Sequence, residues 1–302
     1  MNYLAIDIGG TEIKYAVMDE SAEFILKDRM PNRMRSVNDF LDVVETLWEK
    51  YGKDAHGIAF SMPGRIDNKK GYMYTSGNLG FLDNTDAASL VRAKISADVS
   101  VENDAKAAAC AEIWKGELRG IDDAVVIVIG TGIGGAIVKD GRVHRGKNHS
   151  AGEFSFIYAG DPGMPYSGKD TFAGRCGIGG FLNPIANAKG ILPHELDGFK
   201  VFEWIEKRDE VVLNVFEGYL RELCRQIENI QFMYDPELIL IGGGISRQSA
   251  FLDMLKVSLD KYHKDNRSPM AKPKLATCRF YNDANLVGAV YNFKQVIEGR
   301  LE

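Results

Sequence analysis

Apolar positions change period several times along the first third of the chain. Tyr3 to Ile8 reads as a strand, Gly9-Gly10 interrupts it, Ile13 to Met18 alternates, and a third β-type run follows near Phe24 to Asp28. Two such runs around a glycine-containing turn predict a hairpin. From Val37 to Tyr51 the period lengthens, with Phe40, Leu41, Val44, Leu47 and Trp48 on one helical stripe. A buried strand over Gly57 to Ser61 comes next, then a helix near Thr85 to Ser96. A short strand ends just before Asp104, and an alanine-rich helix runs from Ala105 to Trp114. This alternation is the pattern of an α/β sheet.

The opening pattern then recurs. Ala124 to Ile129 is an apolar strand, Gly130 to Gly135 a glycine turn, Gly135 to Lys139 a second strand, and Asp140-Gly141 a tight turn into Arg142 to His144. AIDIGGTEIKYAVMD and IVIGTGIGGAIVKD are two versions of one strand–turn–strand element, which predicts a duplicated fold. The second half is more helical. Asp209 to Tyr234 is long and amphipathic, Leu238 to Ile241 is a strand running into Gly242-Gly243-Gly244, a helix begins near Arg247, and another covers Ala284 to Ile297. Two α/β domains are expected, 1–115 and 116–302, with the closing segment 284–299 packing back on the first.

Composition narrows the function classes. With 302 residues, 45% hydrophobic and 26% charged, the chain can bury a large core. A net charge of −5 argues against a nucleic-acid surface, which needs clustered Lys and Arg. Cys110, Cys176, Cys224 and Cys278 are far apart, without CxxC spacing, and read as reduced thiols of a cytoplasmic protein. The most apolar stretch, AVVIVIGTGIGGAIV, is cut by glycines and too short to span a bilayer, so no membrane role is expected. His56, His144, His149, His194 and His263 lack paired metal-ligand spacing and read mostly as surface residues.

The glycines raise the question of phosphate. Gly130, Gly132 and Gly135 fit the dinucleotide fingerprint GxGxxG, but a strand rather than a helix is expected to follow them. GMPYSGKD (163–170) approaches a Walker loop and fails on Asp170, which stands where the magnesium-binding hydroxyl belongs, and on Pro165. Two glycine hairpin turns make a different phosphate site, in which backbone N–H groups are unobstructed and Thr11 and Thr131 add hydroxyl donors. Asp7, at a strand end, could hold magnesium through water, because that ion keeps most of its own shell. Gly242, Gly243 and Gly244 would let adenine and ribose lie against backbone. In VENDAKAAA (101–109), an acid at a strand-to-helix junction is either a helix cap or a base at the carboxyl edge of a sheet.

DIGGT (7–11), END (102–104), GTGIGG (130–135), AGE (151–153) and LIGGGIS (240–246), in this order, resemble the ROK family of bacterial sugar kinases and related repressors. SMPGRID (61–67) is similar to that family's sugar-side loop. The resemblance spans nearly the whole chain and implies a two-lobed actin-like ATPase (ribonuclease H-like) fold with ATP and sugar in the cleft. It implies that Asp104 is the general base, that Asn103 and Glu153 hold sugar hydroxyls, and that Gly64 lies beside them. It places nucleotide at Asp7, Gly9, Gly10, Thr11, Gly130, Thr131, Gly132, Gly134 and Gly242 to Gly244, with magnesium at Asp7. With that context Asp104 is read as the base, whether or not it also caps.

Two departures stand out. The zinc-bearing branch follows AGE-x-G with His and carries a CxCGxxGC cluster; here Ser155-Phe156 replaces the Gly-His pair and Cys176 alone remains. One thiol cannot make a closed tetrahedral site, so no structural zinc is expected. The second sugar-binding Glu of that branch has no counterpart between Phe172 and Asn187. The resemblance is therefore to the zinc-less branch that includes β-glucoside kinases. It implies ATP-dependent phosphorylation of the 6-hydroxyl of a hexose or β-glucoside. The alternatives are an N-acetylmannosamine or N-acetylhexosamine kinase and a non-catalytic sugar sensor. A DNA-binding repressor is disfavoured, because the phosphate strand begins at Tyr3 with no helix-turn-helix ahead of it. Homodimerisation is a family-level expectation; the long helix from Asp209 is one candidate contact, with core packing the preferred reading of its apolar stripe.

Overall fold

The computed structural model describes residues 1–160, 167–267 and 269–299. They separate into two compact units: those of 1–120, 142–151 and 282–299 in the first, and those within 121–141 and 152–281 in the second.

The first unit is built on five strands, β1 (Asn2–Ile8), β2 (Glu12–Asp19), β3 (Phe24–Pro31), β4 (Ala55–Met62) and β8 (Asp98–Asn103), in the order β3-β2-β1-β4-β8. β1 to β3 form an antiparallel meander, while β4 and β8 join parallel to β1. Register sets the carboxyl ends of three strands side by side, with Asp7 opposite Ser61 and Met62 opposite Asn103. Ligands gather at such carboxyl edges in open α/β sheets. Three two-residue strands, β5 (Ile66–Asp67), β6 (Tyr72–Met73) and β7 (Thr85–Asp86), form a small sheet beyond β4.

Helices cover this unit. α1 (Val37–Tyr51) starts where Ser36 caps it through the Asp39 N–H and buries Phe40, Val44 and Leu47. α2 (Ala87–Lys94) begins two residues after the expected Thr85, because Thr85 and Asp86 pair with β6 as β7. α3 (Asp104–Lys115) lies against α9 (Ala284–Val296) at very short range. A Cβ on Gly288 of α9 would stand 1.6 Å from the Ala107 carbonyl oxygen, so only glycine allows that approach. The alanines of α3 leave the same room from the other side.

A second five-stranded sheet repeats the plan. β9 (Ala124–Ile129), β10 (Ile133–Lys139), β11 (Arg142–His144), β12 (Leu238–Gly243) and β13 (Leu275–Thr277) are ordered β11-β10-β9-β12-β13. β10 pairs antiparallel to β9, and β12 and β13 continue in parallel. Asp140 and Gly141 both have positive φ (52° and 67°), as a tight turn of that handedness requires. The strand after Gly132 is β10, so the dinucleotide fingerprint fails on context. β10 nevertheless starts at Ile133, so Gly134 and Gly135 are strand residues rather than turn residues. A Cβ on Gly135 would lie 2.2 Å from the Phe154 ring, so this glycine makes room for packing.

Around this sheet lie α4 (Phe172–Cys176), α5 (Ile178–Lys189), α6 (Gly198–Glu206), α7 (Glu210–Tyr234) and α8 (Ser249–Asp265). Phe181, Phe202, Phe216, Tyr219 and Phe251 form an aromatic cluster where α5 to α8 meet. α8 begins at Ser249 because 244–247 first make a 3-10 turn. Among the described residues no helix is long and apolar enough to cross a membrane.

Candidate active site

In the first unit, Asp7 ends β1 almost fully buried. Its Oδ1 accepts hydrogen bonds from Ser61 Oγ (2.9 Å) and Asn285 Nδ2 (3.0 Å), and Lys14 Nζ lies 3.5 Å from Oδ2. Three partners from β2, β4 and α9 therefore fix one carboxylate at the mouth of the first glycine turn. In that turn the Gly9 N–H donates to the Glu12 carbonyl at 2.9 Å, while Gly10 and Thr11 are exposed. The side chain of Asn32 donates to the Gly9 carbonyl at 2.7 Å and its own N–H to that of Thr11 at 2.9 Å. Asn32 is thus a support of the turn that no local pattern announced.

The END segment shows which residue caps α3. Asn103 is the N-cap: its Oδ1 accepts the Lys106 N–H at 3.1 Å. Its Nδ2 donates to the Gly64 carbonyl (3.0 Å) and to Asp104 Oδ1 (2.9 Å), and Asp104 Oδ1 also accepts the Ala105 N–H at 2.8 Å. Asp104 is therefore the first helical residue, and the capping duty falls to its neighbour. Gly64 has φ 107°, and a Cβ there would stand 2.0 Å from the Thr75 carbonyl oxygen. Its left-handed backbone turns the carbonyl toward Asn103. Gly64, Asn103 and Asp104 are brought together.

In the second unit the other turn is equally open. Gly130 and Thr131 are exposed, and the Gly130 N–H donates to the Gly132 carbonyl at 3.0 Å. The Ser155 hydroxyl accepts the Ile133 N–H (3.1 Å) and donates to the Ile133 carbonyl (2.9 Å), pinning the end of the turn. The first residue of α5, Ile178, donates its N–H to the Gly130 carbonyl at 2.8 Å, so the positive end of that helix adjoins the turn. Gly243 pairs with Ile129, placing the triple glycine beside the same turn. Gly242 and Gly243 belong to β12, and a Cβ on them would meet Cys278 Sγ at 2.9 Å and the Ile129 carbonyl at 2.0 Å. A Cβ on Gly244 would meet nothing within 4 Å. Glu153 precedes a short 3-10 turn, half-buried, and belongs to this unit.

The ROK family profile matches residues 3–296. The chain belongs to the ROK family. A β-glucoside kinase of Listeria innocua is 30% identical over 98% of both chains. Two solved relatives share the fold: a ROK family protein from Streptococcus pneumoniae in complex with sucrose (25% identity, TM-score 0.88, 99% of this chain and 100% of that one), and a ROK glucokinase from Streptomyces griseus in complex with glucose and AMPPNP (22%, 0.81, 96% and 98%). The two repeated five-stranded sheets are thus the actin-like ATPase fold of the ROK family.

This ROK chain differs from the zinc-bearing pattern where Ser155 and Phe156 stand. Ser155 serves the glycine turn, and Phe156 is 72% exposed. Cys176 is buried, its carbonyl accepting the Tyr219 hydroxyl at 2.9 Å, and burial pushes its thiol far above the ordinary range. Among the described residues no three His, Cys, Asp or Glu side chains converge as a metal site. His263 Nδ1 lies 2.7 Å from the buried Glu228, so it is not a simple surface residue. Half of the Walker-like stretch, 163–166, lies outside the described residues. A cavity of about 700 Å³ lined by Gln231, Phe232, Tyr262 and Met270, among others, shares no residue with either turn.

Proposed function

We propose that this ROK protein is an ATP-dependent carbohydrate kinase that transfers the γ-phosphate to the 6-hydroxyl of a hexose or a β-glucoside. The observation that carries this reading is the division of labour at the end of β8. Asn103 caps α3 and ties itself to Gly64, while the carboxylate of Asp104 stands at the carboxyl edge of the sheet. A carboxylate so placed can take the proton of a sugar hydroxyl as its oxygen attacks the γ-phosphorus. The products are ADP and the sugar phosphate. Asn103 and Glu153 are the residues that the family resemblance gives for holding sugar hydroxyls.

Phosphoryl transfer asks mainly for positioning and for donors aimed at phosphate oxygens. Each unit supplies one exposed glycine turn with a threonine hydroxyl, at Gly9 to Thr11 and at Gly130 to Gly132. Both turns are braced from behind, by Asn32 and by Ser155. Asp7 fits magnesium as an outer partner: its oxygens already serve Ser61, Asn285 and Lys14, so it would hold the ion through water. When bound, the ion supplies charge neutralisation to the phosphates.

The β-glucoside reading is preferred because the full-length Listeria innocua relative bears that name and the zinc-branch cysteine cluster is missing here. ADP release is the test, measured across glucose, cellobiose, gentiobiose, N-acetylmannosamine and N-acetylglucosamine. Turnover on one acceptor, reduced at least a hundredfold in Asp104→Asn with ATP binding retained, is expected, on the scale of a lost general base. Full activity of the variant would refute Asp104 as the base, and ATP binding without turnover on any sugar would favour a sensor.

A further inference from the structure

The Asn103–Asp104 turn is held from behind by a charge that the proposed reaction does not use. Glu102, the residue before it, is fully buried. Its Oε1 accepts the Asn103 N–H at 2.8 Å, and its Oε2 accepts both Nε (3.1 Å) and Nη2 of Arg145. Arg145 Nη1 donates in turn to the Val143 carbonyl at 3.1 Å. Asn103 is therefore gripped twice, through its backbone by Glu102 and through its side chain by the Gly64 carbonyl.

Arg145 lies on the segment 142–151, which belongs to the first unit although the chain before and after it belongs to the second. That segment touches the Gly64 loop as well. Asn148 offers its carbonyl to Arg65 Nη1 at 3.4 Å, and His149 stacks on Tyr74 with its Nε2 3.7 Å from Asp67 Oδ2. One strap thus steadies both partners of Asn103. A buried ion pair is often no more stabilising than apolar side chains of the same size. What it adds is direction, since a guanidinium fork binding one carboxylate oxygen through two N–H groups fixes where the carboxylate can sit.

We propose that the Glu102–Arg145 pair is a positioning element of the phosphoryl-transfer site, holding the end of β8 so that the Asp104 carboxylate meets the acceptor hydroxyl in line. The inference rests on the reading of Asp104 as the base. Losing the fork releases the Asn103 N–H clamp and lets the first turn of α3 move. A displacement near 1 Å at a reacting group costs about 100-fold in rate.

The test is steady-state kinetics on the full chain for R145K, R145A and E102Q, with D104N and the exposed strap variant K147A as controls, each checked by thermal unfolding. R145K should stay folded and lose about ten- to a hundredfold in kcat, with KM for ATP and for sugar within about threefold of wild type. Millimolar guanidinium ion should restore part of the kcat of R145A, and K147A should match wild type. If R145K and E102Q keep wild-type kcat while D104N is dead, the positioning role fails and the base reading stands. If D104N retains activity, the base reading fails and the positioning role with it. Losses that track only the unfolded fraction would reduce the pair to a structural contact.

Discussion

Ser155 shows how much a single hydroxyl can carry. It both accepts from and donates to the Ile133 backbone, so Ser155→Ala would strand an N–H and a carbonyl beside the second glycine turn. Such a loss costs about 1–3 kcal/mol, part of it felt as a looser turn. The expected outcome is a KM for ATP raised about tenfold with the KM for sugar unchanged, read by initial rates at varied ATP. The places of Asp7 at a strand end, of Asp104 at a strand-to-helix junction and of the two turns were legible in the sequence because each lies within a run of five or six residues whose spacing is itself the signal. Asn32, Ser155 and Arg145 were not, since their partners lie 23, 22 and 43 residues away and nothing local to them marks the pairing. END left open which residue caps, because Asn and Asp are equally good caps and only the Asn103–Lys106 bond separates them.

Among elements, the legible ones obey one period for many residues. α1 was readable to both ends, since five stripe residues follow a Ser36 cap. α5 was not, because Gly179, Gly180 and an interior Pro184 read as breakers, and burial of Phe181 and Ile185 outweighs them. β5, β6 and β7, at two residues each, are too short to show a period. The contact of α3 with α9 is the most restrictive between elements. Gly288→Ala would drive a methyl into the Ala107 carbonyl, and overpacking of that kind costs about 3 kcal/mol or more. Urea unfolding should show the loss, and because α3 starts at Asp104, kcat should fall too. Ser36→Ala removes only the α1 cap and should cost about 1 kcal/mol with kcat unchanged, which makes it the control.

At the scale of the whole molecule, buried thiols and phenols shape the alkaline side of the stability curve. Burial, the largest cause in each case, pushes Cys110 and Tyr15 up to about 12 and Cys224 to about 11, and raises Cys176, Tyr219 and Tyr234 further. The folded chain holds these protons to higher pH than the unfolded one, so stability falls as pH rises. Their contribution is complete below about pH 8, where unfolded thiols, with a pKa of about 8.5, begin to titrate, and is lost progressively as pH rises from there toward about 12. Thermal unfolding from pH 7 to 11 should show a plateau followed by a decline. Ellman's reagent at pH 8 should find the four native cysteines slow to react and all four reactive in denaturant, since all are buried.

The dependence of the first unit on α9 has a consequence in time. Leu286, Val287, Val290 and Phe293 are buried there, and a Cβ on Gly57 of β4 would stand 2.5 Å from the Phe293 ring. Synthesis runs from the amino end, so β1, β4 and β8 emerge from the ribosome long before the helix that covers them. During that interval α3 has no partner on its Gly288 side, so the first unit waits for α9. Released chains that end at residue 283 should therefore be cleaved by protease within 1–120 while 121–281 resists, and chains that extend through α9 should lose that sensitivity.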